Sequence, residues 1–144
     1  MSNDPPSKTA APSRTTSLRY WGILLLVMFL LTSAVGGSLA LESSYLPITL
    51  ASHIGLALVT LGLGIYANAV VARPYRALPH AFVGLGALSA LGATISGTVF
   101  LLGGQSNPAL YAMEGFAVAG IIGSVLTVVF GGVAGLRSPT VETN

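Results

Sequence analysis

Few side chains in the apolar body of this chain can do chemistry, and His53 and Glu114 stand out among them. An imidazole can ligate haem iron or pass a proton, and an intramembrane carboxyl group can pair with it or couple transport. His53 falls about six residues after Pro47, and Glu114 about six after Pro108. At 1.5 Å per residue each would lie ~9 Å inside a helix that starts at its proline. A charged group in lipid is costly unless paired, so His53 is the natural partner of Glu114. Met113 is His53 plus 60 and Glu114 is His53 plus 61, so either can be its equivalent in a repeat. His53, Met113 and Glu114 are therefore the candidate cofactor-binding residues, with His53 the candidate metal ligand. The structural alternatives are a hydrogen-bonded imidazole, a core methionine and a glutamate drawn toward headgroup water.

Other chemistry finds little footing. The absence of cysteine excludes disulfides, thiolate zinc sites, iron–sulfur clusters and cysteine nucleophiles. There is no Walker loop, no His-Glu-x-x-His and no serine nucleophile motif, so no catalytic residue is assigned. His80 follows Pro79 at the far end of the next apolar stretch, where solvation at the interface is expected. The 19 residues from His53 to Ala72 alone span about 28 Å of helix, so the two histidines cannot share a metal.

The elements that must position these groups are plain in the composition. Of 144 residues, 53% are hydrophobic and only 7% charged, with mean hydropathy +0.81. A soluble domain carries about 25% charged residues, so the solvent here is largely lipid. Four apolar stretches, roughly 20–41, 48–72, 80–102 and 109–136, each exceed the ~20 residues that cross a bilayer as a helix. The expected fold is an all-α integral membrane four-helix bundle, up-down-up-down. Its transmembrane domain covers 19–137, between a disordered tail at 1–18 and a short tail at 138–144. Pro47, Pro79 and Pro108 mark helix starts, where a missing N–H costs nothing. Asn68 is expected to bond across helices.

All six cations precede the first stretch, fall between the second and third, or follow the fourth. By the positive-inside rule both termini and the middle connection face the cytoplasm of an inner or plasma membrane. Tyr20, Trp21 and Tyr75 suit the inner aromatic belt, and Tyr45 and Tyr111 the outer one. A basic tail, an apolar run and Ser38-Leu39-Ala40 also resemble a signal peptide, whose cleavage would leave three spans. The formal charge of +2 gives no reason to expect nucleic acid.

The halves resemble each other. The segment 33–41 matches 93–101 at an offset of 60, which suggests two repeated helical hairpins. Small residues four apart (Ser33 and Gly37, Gly92 and Ser96, Gly120 and Ser124) are read as packing the bundle. Gly131 and Gly135 offer a dimer face, so a homo-oligomer or a larger membrane complex is expected.

The run 31–67, with Gly36-Gly37, Pro47 and His53 followed by Gly55-Leu56-Ala57, resembles one hairpin of the haem A synthase family. It covers about a third of the chain. The resemblance implies a four-helix haem-binding bundle, with ligands near the outer face on the second and fourth helices. Where the family would place a second histidine this chain has Met113 or Glu114, and it lacks the family's loop cysteines. The resemblance therefore implies a non-catalytic relative in haem binding, respiratory electron transfer or oxidase biogenesis. A structural or assembly subunit, and a small transporter coupled through Glu114, are the alternatives.

Overall fold

The computed structural model describes residues 14–41, 47–75, 77–103 and 107–131, and these form four long helices. They are α1 (Arg14–Leu41), α2 (Pro47–Tyr66), α3 (Ala77–Leu102) and α4 (Asn107–Phe130). Four spans of 22 to 26 residues, with mean hydropathy 1.8 to 2.1, are long and apolar enough to cross a bilayer. The protein is a small polytopic membrane protein.

Helix boundaries differ from the sequence expectation in three places. Helix α1 begins at Arg14 rather than near Tyr20, because Leu18 already has a buried seat against α4, beside Gly131. Helix α3 begins at Ala77 and carries Pro79 in its first turn, where no helical N–H is needed. Helix α2 does not continue regularly to Ala72. A π-helical turn, Ala67–Val71, follows it, closed by the Ala72 N–H donating to the Ala67 carbonyl at 2.8 Å. The wider turn brings residues five apart onto one side, and Ala67 and Ala72 are both fully buried. The end expected for the fourth helix, 131–136, and both tails lie largely outside the described residues.

Contacts form a ring. Each helix packs on its sequence neighbours, α4 closes on α1, and the longest interface joins α3 to α4. Helices α2 and α4 therefore stand diagonally opposed. Paired positions run in opposite senses along neighbouring helices. Gly36 of α1 meets His53 of α2, while Trp21 packs at a tilt against Tyr66 with ring centroids 5.2 Å apart. On α3 and α4, Gly97 meets Met113 while Phe82 packs on Phe130 at 5.6 Å.

Burial is inverted relative to a soluble bundle. Large apolar side chains such as Leu30, Leu58, Leu88 and Val118 are exposed on the outside. Much of the interior is small or hydroxylated, with Ala87, Ala90, Thr60, Ser89, Ser124 and Thr127 buried. In lipid, association gains little from hiding apolar area, so close backbone approach and interhelical contact take over. Gly123 shows it directly: a Cβ there would lie 3.1 Å from the Gly86 nitrogen and the Phe82 oxygen. The hydroxyls are satisfied locally, Ser124 donating to the Gly120 carbonyl and Thr127 to that of Gly123, each at 2.8 Å.

Three expectations need correction. Tyr75 is buried rather than belted, part of a cluster with Leu18, Leu25, Ala67, Ala72 and Val83. Gly131 packs against Leu18 inside the bundle and offers no outward dimer face; Gly135 lies outside the described residues. Asn68 lies near Gly84 of α3 but makes no side-chain hydrogen bond among the described residues. The small-residue pairs divide: Gly92 seats Phe116 and Gly120 seats Phe29, whereas a Cβ at Gly37 would meet nothing within 4 Å.

Candidate functional site

The open space explains Gly37. A hollow lies between all four helices, at the end where α1 runs toward α2 and α3 toward α4. It has two lobes, of about 170 and 260 Å³. They share Gly36 of α1, His53 and Ala57 of α2, Ala93 and Thr94 of α3, and Leu110 and Met113 of α4. The first lobe adds Thr32, Ser33, Thr60 and Glu114, and the second adds Leu39, Leu50, Ile54, Leu58 and Leu101. Both lobes are mostly apolar, with threonine hydroxyls in each: Thr32, Thr60 and Thr94 on the first, Thr94 and Thr98 on the second. All three candidate residues thus border the same space, His53 and Met113 from opposed helices.

His53 is held by a backbone partner. Its Nδ1 lies 3.1 Å from the Thr32 carbonyl of α1. A carbonyl only accepts, so Nδ1 carries the proton and a neutral ring then bears its lone pair at Nε2. That carbonyl is reachable because of Gly36. In a helix a side chain covers the turn N-terminal to its own Cα, so a residue at 36 would shield the Thr32 carbonyl. A Cβ on Gly36 would sit 2.7 Å from the His53 Cε1, and nothing that close is tolerated without a shift. Met113 has a similar notch, its Sδ lying 3.3 Å from where a Gly97 Cβ would be.

The expected His53–Glu114 pair is not formed. Glu114 is exposed, makes no ion pair or hydrogen bond among the described residues, and borders the first lobe but not the second. Helices α2 and α4 are diagonal neighbours, and the Thr32 carbonyl has taken the proton of His53 that faces α1. His80 also departs from expectation: its Nδ1 is buried and has no hydrogen-bond partner among the described residues. No group of three His, Cys, Asp or Glu side chains among the described residues could hold a metal ion.

Sequence reasoning missed the threonines and the two glycine notches. Thr32 and Thr60 approach each other across α1 and α2 at 3.2 Å between hydroxyl oxygens. In the repeat at offset 60 Gly97 answers to Gly37 and Ser96 to Gly36, so the two notches stand one residue out of register and spacing alone did not reveal them.

A porphyrin tests the hollow in two ways. The donor atoms suit iron, since an imidazole nitrogen and a thioether sulfur on opposed helices are a known axial pair. The space is divided. Each lobe alone is smaller than the ~300 Å³ at which pockets for drug-sized ligands begin, and a porphyrin is not small among those. Haem does not fit either lobe by itself and would have to span both.

The class defined by these observations is a polytopic membrane four-helix bundle with a partly polar hollow in one half. Compared with known protein families, curated proteins and solved structures, the chain matches none.

Proposed function

We propose that this protein binds a small, lipid-dissolved molecule in the hollow around His53, in the outer half of the bilayer. The observation that carries the reading is the anchoring of His53. A ring fixed through Nδ1 to a backbone carbonyl, beside a glycine notch and on the wall of both lobes, keeps its other nitrogen unspent for a ligand. The proposed topology is up-down-up-down with termini and the α2–α3 connection cytoplasmic, supported by the placement of all six cations. The match of 33–41 with 93–101 supports two repeated hairpins, and the place of His53 and Met113 on both lobes, each against a glycine, supports Met113 rather than Glu114 as the mate of His53. The resemblance noted in the sequence makes respiratory electron transfer or oxidase biogenesis the setting in which such a molecule would serve.

Native mass spectrometry of protein released from its own membranes tests this. A bound small molecule is expected, and Ala93→Phe, which adds bulk to the wall shared by both lobes, should lose it. An absorption spectrum of the same sample settles haem: a Soret band lost in His53→Ala would show that the lobes open into one slot. A protein with nothing bound, whose Ala93→Phe variant melts unchanged in lipid extract, would instead be a structural or assembly subunit. The transporter reading has less support, because Glu114 stands at the rim unpaired. It is dismissed if Glu114→Gln leaves uptake in proteoliposomes unaltered.

A further inference from the structure

We infer that the occupant of the hollow is an apolar-tailed hydroquinone, a rigid ring carrying two hydroxyl donors and delivered by the bilayer. The inference rests on the reading of the hollow as a binding site and names the ligand class.

The first argument is proton counting. Thr32 donates to the Met28 carbonyl at 2.8 Å, Thr60 to that of Leu56 at 2.7 Å, and Thr94 to that of Ala90 at 2.8 Å. Each of these hydroxyl protons stays on its own helix, or is shared within the Thr32–Thr60 pair. The Nδ1 proton of His53 is spent on the Thr32 carbonyl. What remains is lone pairs: threonine oxygens, His53 Nε2 and Met113 Sδ. Among the described lining residues the spare donors are the Ser33 hydroxyl and, when protonated, the Glu114 carboxyl at the rim of the first lobe; ionised, Glu114 adds only acceptors. A ligand that brings only carbonyl, ether or ester oxygens would set lone pair against lone pair. One that brings hydroxyl protons on opposite edges of a ring meets acceptors on opposed walls.

The second argument is shape. The smaller lobe, which Thr32, Ser33 and Thr60 border, has room for a single ring; the larger lobe is bordered by Leu39, Leu50, Ile54, Leu58 and Leu101 together with Thr94 and Thr98. Ile54, Leu58 and Leu101 border that larger lobe and are also exposed on the outer surface of the bundle. The lobe therefore reaches lipid between α2 and α3. The close approaches between those helices, Gly64 to Ala87 and Gly84 to Asn68, both fall in the other half. A tail can lie in the larger lobe and run out between the helices while the ring sits inside.

The chain lacks cysteine, which makes the test clean. Ala93→Cys places a single thiol on both lobes, and its rate of reaction with N-ethylmaleimide is followed in nanodiscs under argon. Decylubiquinol should slow labelling about tenfold or more, the scale of one satisfied buried polar pair. Decylubiquinone and 1-dodecanol, the latter with one donor and no ring, should change it less than about twofold. His53→Leu should abolish the difference between quinol and quinone. Equal protection by quinol and quinone overturns the inference. So does no protection by quinol where the co-purifying molecule protects, but then the binding reading stands. A thiol protected by nothing, in protein that co-purifies with nothing, overturns both. Melting curves of the unmodified protein with the same three compounds repeat the comparison without the thiol.

Discussion

The two halves of this bundle use glycine in opposite ways. In the half that holds the α2–α3 connection, Gly123, Gly64 and Gly22 let backbones approach closely, while a Cβ on Gly62 or Gly86 would meet nothing within 4 Å. Gly123 lies against Gly86 and Phe82, Gly64 against Ala87, and Gly22 against Val128, with added Cβ distances of 2.9 to 3.2 Å. Tyr75, Leu18, Leu25 and Val83 fill what remains. In the other half, Gly36 and Gly97 receive the His53 ring and the Met113 sulfur, and Gly37 faces open space. One half is closed by backbone contact, and the other is kept apart around a hollow. The lesson is that small residues at helical spacing do not by themselves announce packing; what stands opposite decides.

The largest effect should come from forcing the closed half apart. Gly123→Leu drives a branched side chain into the backbone of α3, which cannot rotate out of the way. Overpacking of this kind costs about 1–3 kcal/mol or more, so a clear fall in melting temperature is expected in nanodiscs. Ala93→Leu adds similar bulk to the wall of the hollow and should melt within about 1 kcal/mol of the parent. Equal losses in the two variants would erase the contrast between the halves.

Much of this architecture was legible in the residues. Four spans and their prolines follow from apolar length and turn chemistry, because a backbone in lipid has few other ways to satisfy itself. The π turn at Ala67–Val71 was not legible, since it answers to what packs against Ala67 and Ala72 rather than to local propensity. Tyr75 was misassigned for a related reason: an aromatic beside arginines suits a headgroup belt, and only the tertiary contacts show it turned inward. At the site, His53 and Met113 could be singled out as rare groups at repeated spacing. The partner of His53 could not. It is a backbone carbonyl uncovered by a glycine one turn away, and carbonyls have no sequence signature.

A smaller effect should follow from covering that carbonyl. Gly36→Ala places a methyl where the Cε1 of His53 now lies, so the ring must swing off the Thr32 oxygen. The loss of one such bond costs about 1 kcal/mol. The sharper reading is in the ring itself: the nitrogen-15 shifts of His53 should no longer mark a single proton held at Nδ1. Unchanged shifts would mean that the notch does not hold the ring.

The smallest effect, and opposite in sign, is expected at Gly37. Gly37 borders the first lobe and its Cβ would meet nothing within 4 Å, so alanine brings no clash there. Alanine is favoured over glycine inside a helix by up to ~1 kcal/mol, a preference measured in water that lipid, lacking competing hydrogen bonds, should weaken. Gly37→Ala should therefore melt slightly higher or unchanged, while Gly64→Ala in the closed half should melt lower. Only the surroundings differ, one methyl against space and one against the Ala87 backbone 3.2 Å away. If Gly37→Ala melted as low as Gly64→Ala, the space around it would have to be closed in the bilayer. The hollow, and every ligand argued from it, would then lose its basis.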